Sequence, residues 1–532
     1  MLSSAVEESV NNNSYQQACK SIAERIESSK NLFSITQVLK VIRQVASEYH
    51  LRTMPRNEHI IRYLHDNRYR RLLMVKPTKT ASGVAVVAVM PKPYECPHGR
   101  CTYCPGGIEF NTPLSYTGTE PATKAAQGFS FDPYQQVHSK IQQLQSRGHD
   151  TGKTEIVIVG GTFPFMPADY QRQFAKSCYD ALNFNKSFSL QEAIFANETA
   201  NNRCVGFTVE TKPDYCKESH INLMLELGVT RIELGIQSLD NNVYKLTNRG
   251  CTLDDVVYAF KIARNAGYKI VAHMMPGLPG SSPEKDIEDF RRLFEDDAFK
   301  PDMLKIYPTL VLENTGLSKM HKMGKYEPYS GDEIVNIIME VKKNVPEWMR
   351  IMRIQREIES KDITAGPKSG NLRQIVLQKL SQQGYTCKCI RCRETGLRRR
   401  YPADDEVILK RTSYLASGGC EIFLSYESKA SDTILGFLRL RKVGEPHRRE
   451  LEGSAAVREL HVYGQAVGVG RKVTGDSYQH RGYGMKLLKE AERITKEELR
   501  RSKIAIISAV GTRQYYKKLG YQQDGPYVSK VL

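Results

Sequence analysis

The sequence contains no apolar run long enough to span a bilayer, and its first residues lack the apolar stretch of a secretory signal. It also contains no internal repeat and no long low-complexity tract. These absences argue against a membrane-spanning protein, an exported protein and a repeat array, so we expect a cytoplasmic protein. At 532 residues the chain is too long for one ordinary core, which predicts two or more domains.

Acidic residues are outnumbered, since 77 Lys and Arg stand against 59 Asp and Glu and give a formal charge of +18. Such an excess favours a polyanionic partner, nucleic acid above all, because neutralised phosphates release counterions. Simple solubility is the alternative. Twelve cysteines in a chain without an export signal indicate metal ligands and buried thiols rather than disulfides.

Residues 1–80 are predicted to form a helical, basic region. Apolar residues recur there at helical spacing, at Leu32, Ile35, Val38, Leu39, Ile42 and Val45. Arginines are interleaved with rings that can stack, in the set Arg52, Arg56, Arg62, Arg68, Arg70, Arg71, Tyr63, His65 and Tyr69. Unpaired RNA bases lie on aromatic and guanidinium planes, so this composition indicates an RNA-binding region. A solvated helix surface is the alternative.

Residues 81–320 are predicted to form a parallel α/β sheet, because short apolar strands alternate there with helical stretches. The six predicted strands are Val84–Met90, Glu155–Val159, Val205–Glu210, Arg231–Gln237, Lys269–Met275 and Met303–Leu310. This pattern is typical of a partial (β/α)6-type barrel, in which loops at the carboxyl ends of the strands hold the chemistry. Glycine, proline and polar residues gather at those ends: Gly160, Gly161, Thr162, Glu210, Gln237 and residues 276–280.

Residues 321–400 are predicted to be a helical, basic linker that contains a metal site. Cys387, Cys389 and Cys392 stand in C-x-C-x(2)-C spacing, which favours a structural zinc ion. No fourth ligand is obvious. Cys420, a histidine or an aspartate could supply it, and three unligated cysteines are the alternative.

Three further cysteines, Cys96, Cys101 and Cys104, form a C-x(4)-C-x(2)-C loop directly after the first predicted strand. Close thiolates in a loop rich in glycine and proline can hold one face of a [4Fe-4S] cluster and leave one iron open. Zinc is one alternative, and it would require His98 as a fourth ligand. Three inert thiols are the other.

This loop resembles those of radical S-adenosylmethionine enzymes. The resemblance continues through GGTFPF at 160–165, VETKPD at 209–214, RIELGIQSLD at 231–240 and AHMMPGLPG at 272–280. It implies that the open iron binds S-adenosylmethionine and that an electron donor reduces the cluster. It further implies that Gly160, Gly161 and Thr162 contact the methionine part of the cofactor, and that Glu210 and Gln237 contact its methionine or ribose part.

Lys269 and Lys305 are candidate catalytic residues. Each lies in or at the start of a strand that we expect to be covered on both faces, where an unpaired ammonium is costly. A functional partner would account for that cost. A solvated strand end is the alternative.

Residues 401–532 are predicted to form a second α/β domain. Gln479, Arg481, Gly482, Tyr483 and Gly484 fit a Q/R-x-x-G-x-G/A loop that opens an amphipathic helix. Bare glycines let backbone N–H groups close on a pyrophosphate at the helix N-terminus. With the strand before it and the helix after it, the loop resembles the GNAT acetyltransferase family, which implies acetyl-CoA as co-substrate.

That resemblance implies roles for two further segments. Glu459, Leu460, His461 and Val462 match the strand beside which the family places the pantetheine arm, and Tyr515 and Tyr516 match a tyrosine near the thioester sulfur. Glu459 could act as a general base, or it could be an ordinary strand glutamate that faces the surface.

Both domains in one chain, in this order, resemble the family of the Elongator catalytic subunit. The resemblance implies an enzyme that forms 5-carboxymethyluridine at the wobble position of tRNA from acetyl-CoA by radical chemistry, and it assigns Lys153 to acetyl-CoA contact. The loop spacings are similar to those of single-chain archaeal and bacterial members, so partners of the eukaryotic kind are not expected. The oligomeric state stays open, and a protein lysine acetyltransferase with a structural radical domain is the alternative.

Overall fold

The computed structural model describes residues 13–29, 31–398, 406–464 and 482–532. Three parts follow one another along the chain: a helical N-terminal region, a parallel sheet with its helices, and a second, mixed sheet. Within the described ranges, no helix has both the length and the apolar character that crossing a membrane would require.

The N-terminal region is helical, as predicted, and has a small core of its own. Its helices are α1 (Asn13–Glu27), α2 (Ile35–Glu48), α3 (Asn57–Ile60) and α4 (Asn67–Leu72). Ser34 and Gln37 form a capping box at the start of α2, which satisfies backbone N–H groups that the helix leaves free. Val38, Ile42 and Val45 are buried, as the spacing predicts, but Leu32, Ile35 and Leu39 are exposed. The apolar pattern therefore identified only part of the packed face.

Seven parallel strands, numbered along the chain, form the first sheet. They are β1 (Ala85–Val89), β2 (Lys153–Ile158), β3 (Arg203–Thr211), β4 (Arg231–Gln237), β5 (Lys269–Met274), β6 (Met303–Ile306) and β8 (Arg350–Ile354). Their order in the sheet is β1-β2-β3-β4-β5-β6-β8. Because β1 and β8 are its two edges, the barrel is partial, as predicted.

Ten helices connect or flank these strands, and several of them cover the outer face of the sheet. They are α5 (Pro121–Gly128), α6 (Pro133–Ser146), α7 (Ala168–Asn183), α8 (Leu190–Asn197), α9 (Glu218–Glu226), α10 (Asn241–Leu246), α11 (Leu253–Asn265), α12 (Pro283–Glu295), α13 (Gly316–Lys322) and α14 (Gly331–Asn344).

The prediction of a helical linker over residues 321–400 missed two strands. Besides α14, α15 (Leu372–Gln382), α16 (Ile390–Arg393) and α17 (Thr395–Arg398), this segment supplies β8 and β9 (Ile363–Ala365), and β9 pairs with β7 (Val311–Leu312). Strand β8 is short, carries two arginines and lies at the sheet edge. Its sequence therefore lacks the apolar run that marked the other strands.

The third part is a seven-stranded sheet with two α-helices, the GNAT-type α/β domain expected from the sequence. Its strands are β10 (Val407–Ala416), β11 (Gly419–Ser428), β12 (Thr433–Lys442), β13 (Ser454–Val462), β14 (Lys503–Ile506), β15 (Gln522–Asp524) and β16 (Tyr527–Val531). Helix α18 (Tyr483–Arg493) continues into a π-helical turn, and α19 (Arg513–Lys517) follows β14. The pair β13–β14 is parallel and its other neighbours are antiparallel.

A buried cluster of charged residues joins the two sheets. Asp302, which directly precedes β6, binds Arg458 of β13 through both carboxylate oxygens, at 2.6 and 2.7 Å. Glu421 of β11 accepts hydrogen bonds from the same arginine at 2.8 and 3.0 Å. The cluster also contains Arg264, Arg439 and Arg441. This buried cluster holds the two domains together as one packed unit. Separating the domains would leave charges uncompensated that now neutralise one another.

Candidate functional site

A cavity of about 450 Å³ lies inside the first sheet and reaches the carboxyl ends of its strands. It is lined by eight of the residues that the sequence selected for the radical chemistry: Cys96, Cys101, Cys104, Gly161, Thr162, Glu210, Gln237 and Lys305. These residues come from five separate segments of the chain. The parallel topology brings them together, because each follows or belongs to a strand that ends at the same edge of the sheet.

The imidazole of His98 lies between two sulfur atoms of the cysteine loop. Its Nδ1 is 3.1 Å from Cys96 Sγ and its Nε2 is 3.2 Å from Cys101 Sγ. A zinc ion shared with His98 would need one ring nitrogen and three thiolates to converge on one point, whereas here opposite ring nitrogens meet different sulfurs. This wider arrangement fits three thiolates that hold separate irons of one cluster.

The raised pKa values of two cysteines in the loop favour protonated thiols. Burial raises the pKa of Cys96, and burial together with the charge of Cys101 raises that of Cys104 to about 11. A cluster binds thiolates, so its assembly must release these protons. The donor set therefore fits an iron–sulfur cluster.

The turn after β2 is built for close approach to its backbone. Gly160 and Gly161 have φ angles of 127° and 97°, which favour glycine, and a Cβ on Gly160 would lie 3.2 Å from Pro113 Cβ. The backbone N–H of Gly160 donates to Glu210 Oε2 at 3.1 Å. Beside them, the buried side-chain oxygen of Gln237 has no partner among the described residues. An unpaired buried acceptor in such a cradle fits a bound polar cofactor.

Two residues that the sequence analysis missed complete the interior of the cavity. Glu233 is buried in β4 and binds both Lys305 and His273, the latter at 2.8 Å. Burial raises the pKa of Glu233, but the charge of Lys305 and the hydrogen bond from His273 outweigh it, and the net pKa is lowered. Lys305 also lies 4.0 Å from Glu210 Oε1, so it links this pair to the glycine turn. The signal was available, because Glu233 is a charge inside a buried strand, the same feature that selected Lys305.

The structure separates Lys269 from Lys305. Lys269 begins β5 at the opposite end of the sheet, does not line the cavity, and has its pKa lowered by burial despite the charge of Glu459. Lys153 begins β2 at this same amino-terminal edge, and burial lowers its pKa to about 8. Lys269 thus lies near Glu459 of the second domain, and neither lysine lines the cavity beside the cysteine loop.

The second domain holds the acetyl-CoA candidates at a split between strands. Strand β13 pairs with β14 only from Ser454 to Val457, so these two strands diverge before Val462. A Cβ on Gly484 would lie 3.7 Å from Val462 Cγ2 and 3.4 Å from the Tyr515 hydroxyl. Gly482, with φ 85°, stands at the N-terminus of α18. Gln479 and Arg481 lie outside the described residues.

Tyr516, Glu459 and His461 are placed differently from the sequence expectation. Tyr516 packs in the core of the second domain, so only Tyr515 reaches Gly484. Glu459 is buried and accepts a hydrogen bond from Arg439 at 2.9 Å, and His461 Nε2 lies 3.0 Å from the carbonyl oxygen of Ser82. A surface-facing Glu459 is therefore wrong, and its side chain is already engaged at the domain interface. Leu460 packs against the core, and Tyr483 is buried beside Tyr426.

Comparison with known proteins agrees with this geometry. Residues 91–294 match the radical SAM superfamily, residues 301–382 match the radical SAM C-terminal domain and residues 15–81 match the ELP3 N-terminal domain. The chain is 46% identical over 489 residues to the tRNA uridine(34) acetyltransferase of Methanocaldococcus jannaschii, which covers 90% of each chain. The chain belongs to the Elongator complex protein 3 family.

Relatives in this family come from both archaea and eukaryotes. Human Elongator complex protein 3 is 43% identical over 510 residues and 93% of each chain. The solved structure of archaeal Methanocaldococcus infernus Elp3 with an N-terminal deletion superimposes with a TM-score of 0.76 at 43% identity, over 85% of this chain and 100% of that one. The likeness therefore covers both sheets, not the radical SAM part alone.

The structure of the N-terminal region corrects the prediction that all of its listed arginines and rings are available to RNA. Tyr69 is buried and hydrogen-bonds to the backbone of Phe33, while Arg70 donates to the carbonyl oxygens of Ile61 and Leu64. These two side chains hold the domain together, so they are not available for RNA. The arginines that remain exposed are Arg52, Arg56, Arg62, Arg68 and Arg71.

The second cysteine group is a compact cluster. The sulfur atoms of Cys387, Cys389 and Cys392 lie within 4.8 Å of one another at the start of α16. Cys420, a suggested fourth ligand, belongs to β11, where its sulfur contacts the carbonyl oxygen of Glu421 at 3.9 Å. The Nζ of Lys342 also approaches the cluster, at 3.1 Å from Cys387 Sγ.

Proposed function

We propose that this protein modifies the wobble uridine of tRNA to 5-carboxymethyluridine, with acetyl-CoA as carbon donor and S-adenosylmethionine as radical source. The observation that carries the proposal is the meeting of a three-cysteine loop, a Gly-Gly turn and the Glu233–Lys305 pair in one cavity, in a chain whose second domain carries the Gly482–Gly484 loop. The uridine(34) relative supplies the substrate class.

In the radical half, Cys96, Cys101 and Cys104 would hold the cluster, and Gly160, Gly161, Thr162, Glu210 and Gln237 would hold S-adenosylmethionine. When bound, these groups supply a carbon radical that abstracts a hydrogen atom. Lys305 contributes a positive charge at a fixed position. Glu233 holds its Nζ inside the cavity, 4.0 Å from Glu210 Oε1. A buried, oriented ammonium can neutralise negative charge on a bound reactant without waiting for solvent to reorganise.

In the acetyl-CoA half, the backbone of Glu459, Leu460, His461 and Val462 would lie beside the pantetheine arm, and the N-terminus of α18 would receive the pyrophosphate. Gly482 offers no side chain there, and the helix dipole favours the charge of the phosphates. Tyr515 points toward Gly484 and Val462, so its hydroxyl is the group placed to contact the thioester region. Lys153 is the remaining candidate for acetyl-CoA contact.

The proposed function also requires tRNA, an electron donor and a zinc ion. The exposed arginines of the N-terminal region would bind tRNA phosphates, and an electron donor would reduce the cluster. Cys387, Cys389 and Cys392 would bind zinc, because their sulfurs converge on one small volume.

The test feeds acetyl-CoA labelled in its methyl carbon to the reduced enzyme with tRNA and S-adenosylmethionine. Mass spectrometry of the digested tRNA should find the label in a carboxymethyl group on uridine. Heat-denatured enzyme and tRNA with cytidine at the wobble position are the controls. If the nucleosides stay unlabelled while lysines of an added protein become acetylated, the protein lysine acetyltransferase alternative replaces the proposal.

A further inference from the structure

Lys342 is a fully buried cation whose partners are sulfur atoms. It lies on α14 with 0% exposure, and its Nζ is 3.1 Å from Cys387 Sγ and 3.5 Å from Cys392 Sγ. Its neighbour Lys343 forms an ordinary surface ion pair with Glu340 at 2.8 Å. Lys342 makes no such pair with a carboxylate in the part of the chain that the structure describes.

A buried ammonium without a counter-charge is expensive, so the sulfur atoms must supply that charge. The ammonium is therefore stable only beside thiolates. Neutral thiols at the same distances would leave it uncompensated.

Two arginines, Arg373 and Arg391, also lie near the cysteines. A buried nitrogen of Arg373 has no hydrogen-bond partner among the described residues. Within the described residues, no other histidine, cysteine or carboxylate joins the three sulfur atoms at ligand distance. A structural zinc ion takes four ligands, so these three sulfur atoms leave one coordination position to another group.

We propose that Lys342 is the charge-balancing residue of this site and not its fourth ligand. Its ammonium donates hydrogen bonds to the thiolates of Cys387 and Cys392. Three thiolates around a divalent ion leave one negative charge, which one ammonium cancels inside the protein. The inference rests on the proposed zinc site, and it leaves the fourth coordination position to a group outside the described residues.

The cysteine turn also contacts both the first sheet and the second domain, so its charge balance affects how the two domains are held together. The N–H of Ile390, next to Cys389, donates to the carbonyl oxygen of Met349 at 2.9 Å, just before β8. Arg393, one turn later, binds Glu427 and Asp432 of the second domain. Holding the cysteine turn in place therefore holds a contact between the two domains.

The first experiment compares Lys342→Met with Lys343→Met in the full-length protein. Zinc content is measured by mass spectrometry and zinc affinity by competition with a chromogenic chelator. Loss of a group that supports metal ligands commonly weakens binding by about 10- to 100-fold, and we expect that loss for Lys342→Met alone. Unchanged zinc affinity in folded Lys342→Met protein would overturn the proposal.

The second experiment separates charge balance from ligation and from simple packing. In a variant with Cys387, Cys389 and Cys392 all replaced by alanine, Lys342→Met should raise the midpoint of urea unfolding, whereas with the cysteines present it should lower it. The same sign in both backgrounds would refute the pairing. Cadmium NMR on protein with isotopically labelled lysine should show no cadmium–nitrogen coupling, and a coupling would make Lys342 a ligand. If the unsubstituted protein binds no zinc yet the sign reverses, the ammonium–thiolate pairing stands and the zinc site fails.

Discussion

Asp302 is the residue whose loss should most weaken the contact between the two domains. Its carboxylate is fully buried, accepts two hydrogen bonds from Arg458, and also accepts one from the backbone N–H of Ile270 at 2.9 Å. Arg439 and Arg264 lie 3.6 and 3.8 Å from the same carboxylate. Asp302→Asn keeps the shape of the side chain but removes its charge, so three buried guanidinium groups would lose a shared counter-charge.

Removing one partner of a buried ion pair typically costs about 3–5 kcal/mol, because the other charge stays buried and unpaired. We expect Asp302→Asn to fall in that range. Asp297→Asn is the matched control. Its carboxylate is 53% exposed and pairs with Lys300 on the surface, where such a bond contributes about 0–1 kcal/mol.

The single tryptophan offers a direct readout of this interface. Trp348, from the segment before β8, stacks on Tyr414 of β10 with ring centroids 4.2 Å apart. Urea unfolding followed by its fluorescence therefore reports when the domains separate. A difference below about 1 kcal/mol between Asp302→Asn and the unsubstituted protein would refute the reasoning, because it would fall within the range expected of a surface pair.

The pH dependence of that difference follows from the direction of the shift. Burial raises the pKa of Asp302, but Arg458 and Arg439 outweigh it and lower the pKa well below its ordinary value. A lowered pKa gives stability that is present above the unfolded value of about 3.9 and is lost as the pH falls. The gap between the two proteins should be constant near neutral pH and shrink below about pH 4.

Three other outcomes test the sites. Replacing Cys96, Cys101 or Cys104 with serine should abolish iron binding, measured by iron content, and S-adenosylmethionine cleavage, whereas iron retained by all three variants would contradict the cluster assignment. Gly482→Glu should lose acetyl-CoA binding by calorimetry, at about 1.5–3 kcal/mol for each lost charge-assisted bond, while keeping its iron. Gly418→Glu, at an equally open position with positive φ in the β10–β11 turn, is its control, and equal losses in both would point to misfolding. Removal of residues 1–75 should flatten the slope of log tRNA affinity against log salt, because phosphate contacts set that slope, and an unchanged slope would place the footprint elsewhere.

The strands and the radical site were predictable because their signals are local. Six apolar runs marked six strands of the first sheet, and each motif followed its strand within a few residues. Parallel topology then placed the strand ends at one edge. Strand β8 escaped because its arginines make an edge strand resemble a basic helix.

The choice between neighbouring residues was not predictable. Tyr515 and Tyr516 are adjacent on α19, and successive helical residues point about 100° apart. One ring therefore faces Gly484 and the other enters the core, but the sequence alone does not say which. Lys269 and Lys305 differ in a similar way, since Lys269 stands at the start of its strand, away from the cavity, whereas Lys305 lies further along its strand and lines the cavity.

Strand β13 shows why the surroundings of Glu459 were not predictable from the sequence. Its register against β12 shifts between Glu459 and Val457, so Arg458 is an extra, bulged residue. A bulge breaks the alternation of side chains along a strand, which lets Arg458 bind Asp302 while the adjacent Glu459 binds Arg439. Both charges are thereby engaged within the interface between the domains. The backbone edge of β13 beyond Val457, where β13 separates from β14, remains available to a cofactor. Alternation in the sequence predicted the strand, but the bulge that reassigns its side chains depends on arginine and aspartate partners far along the chain.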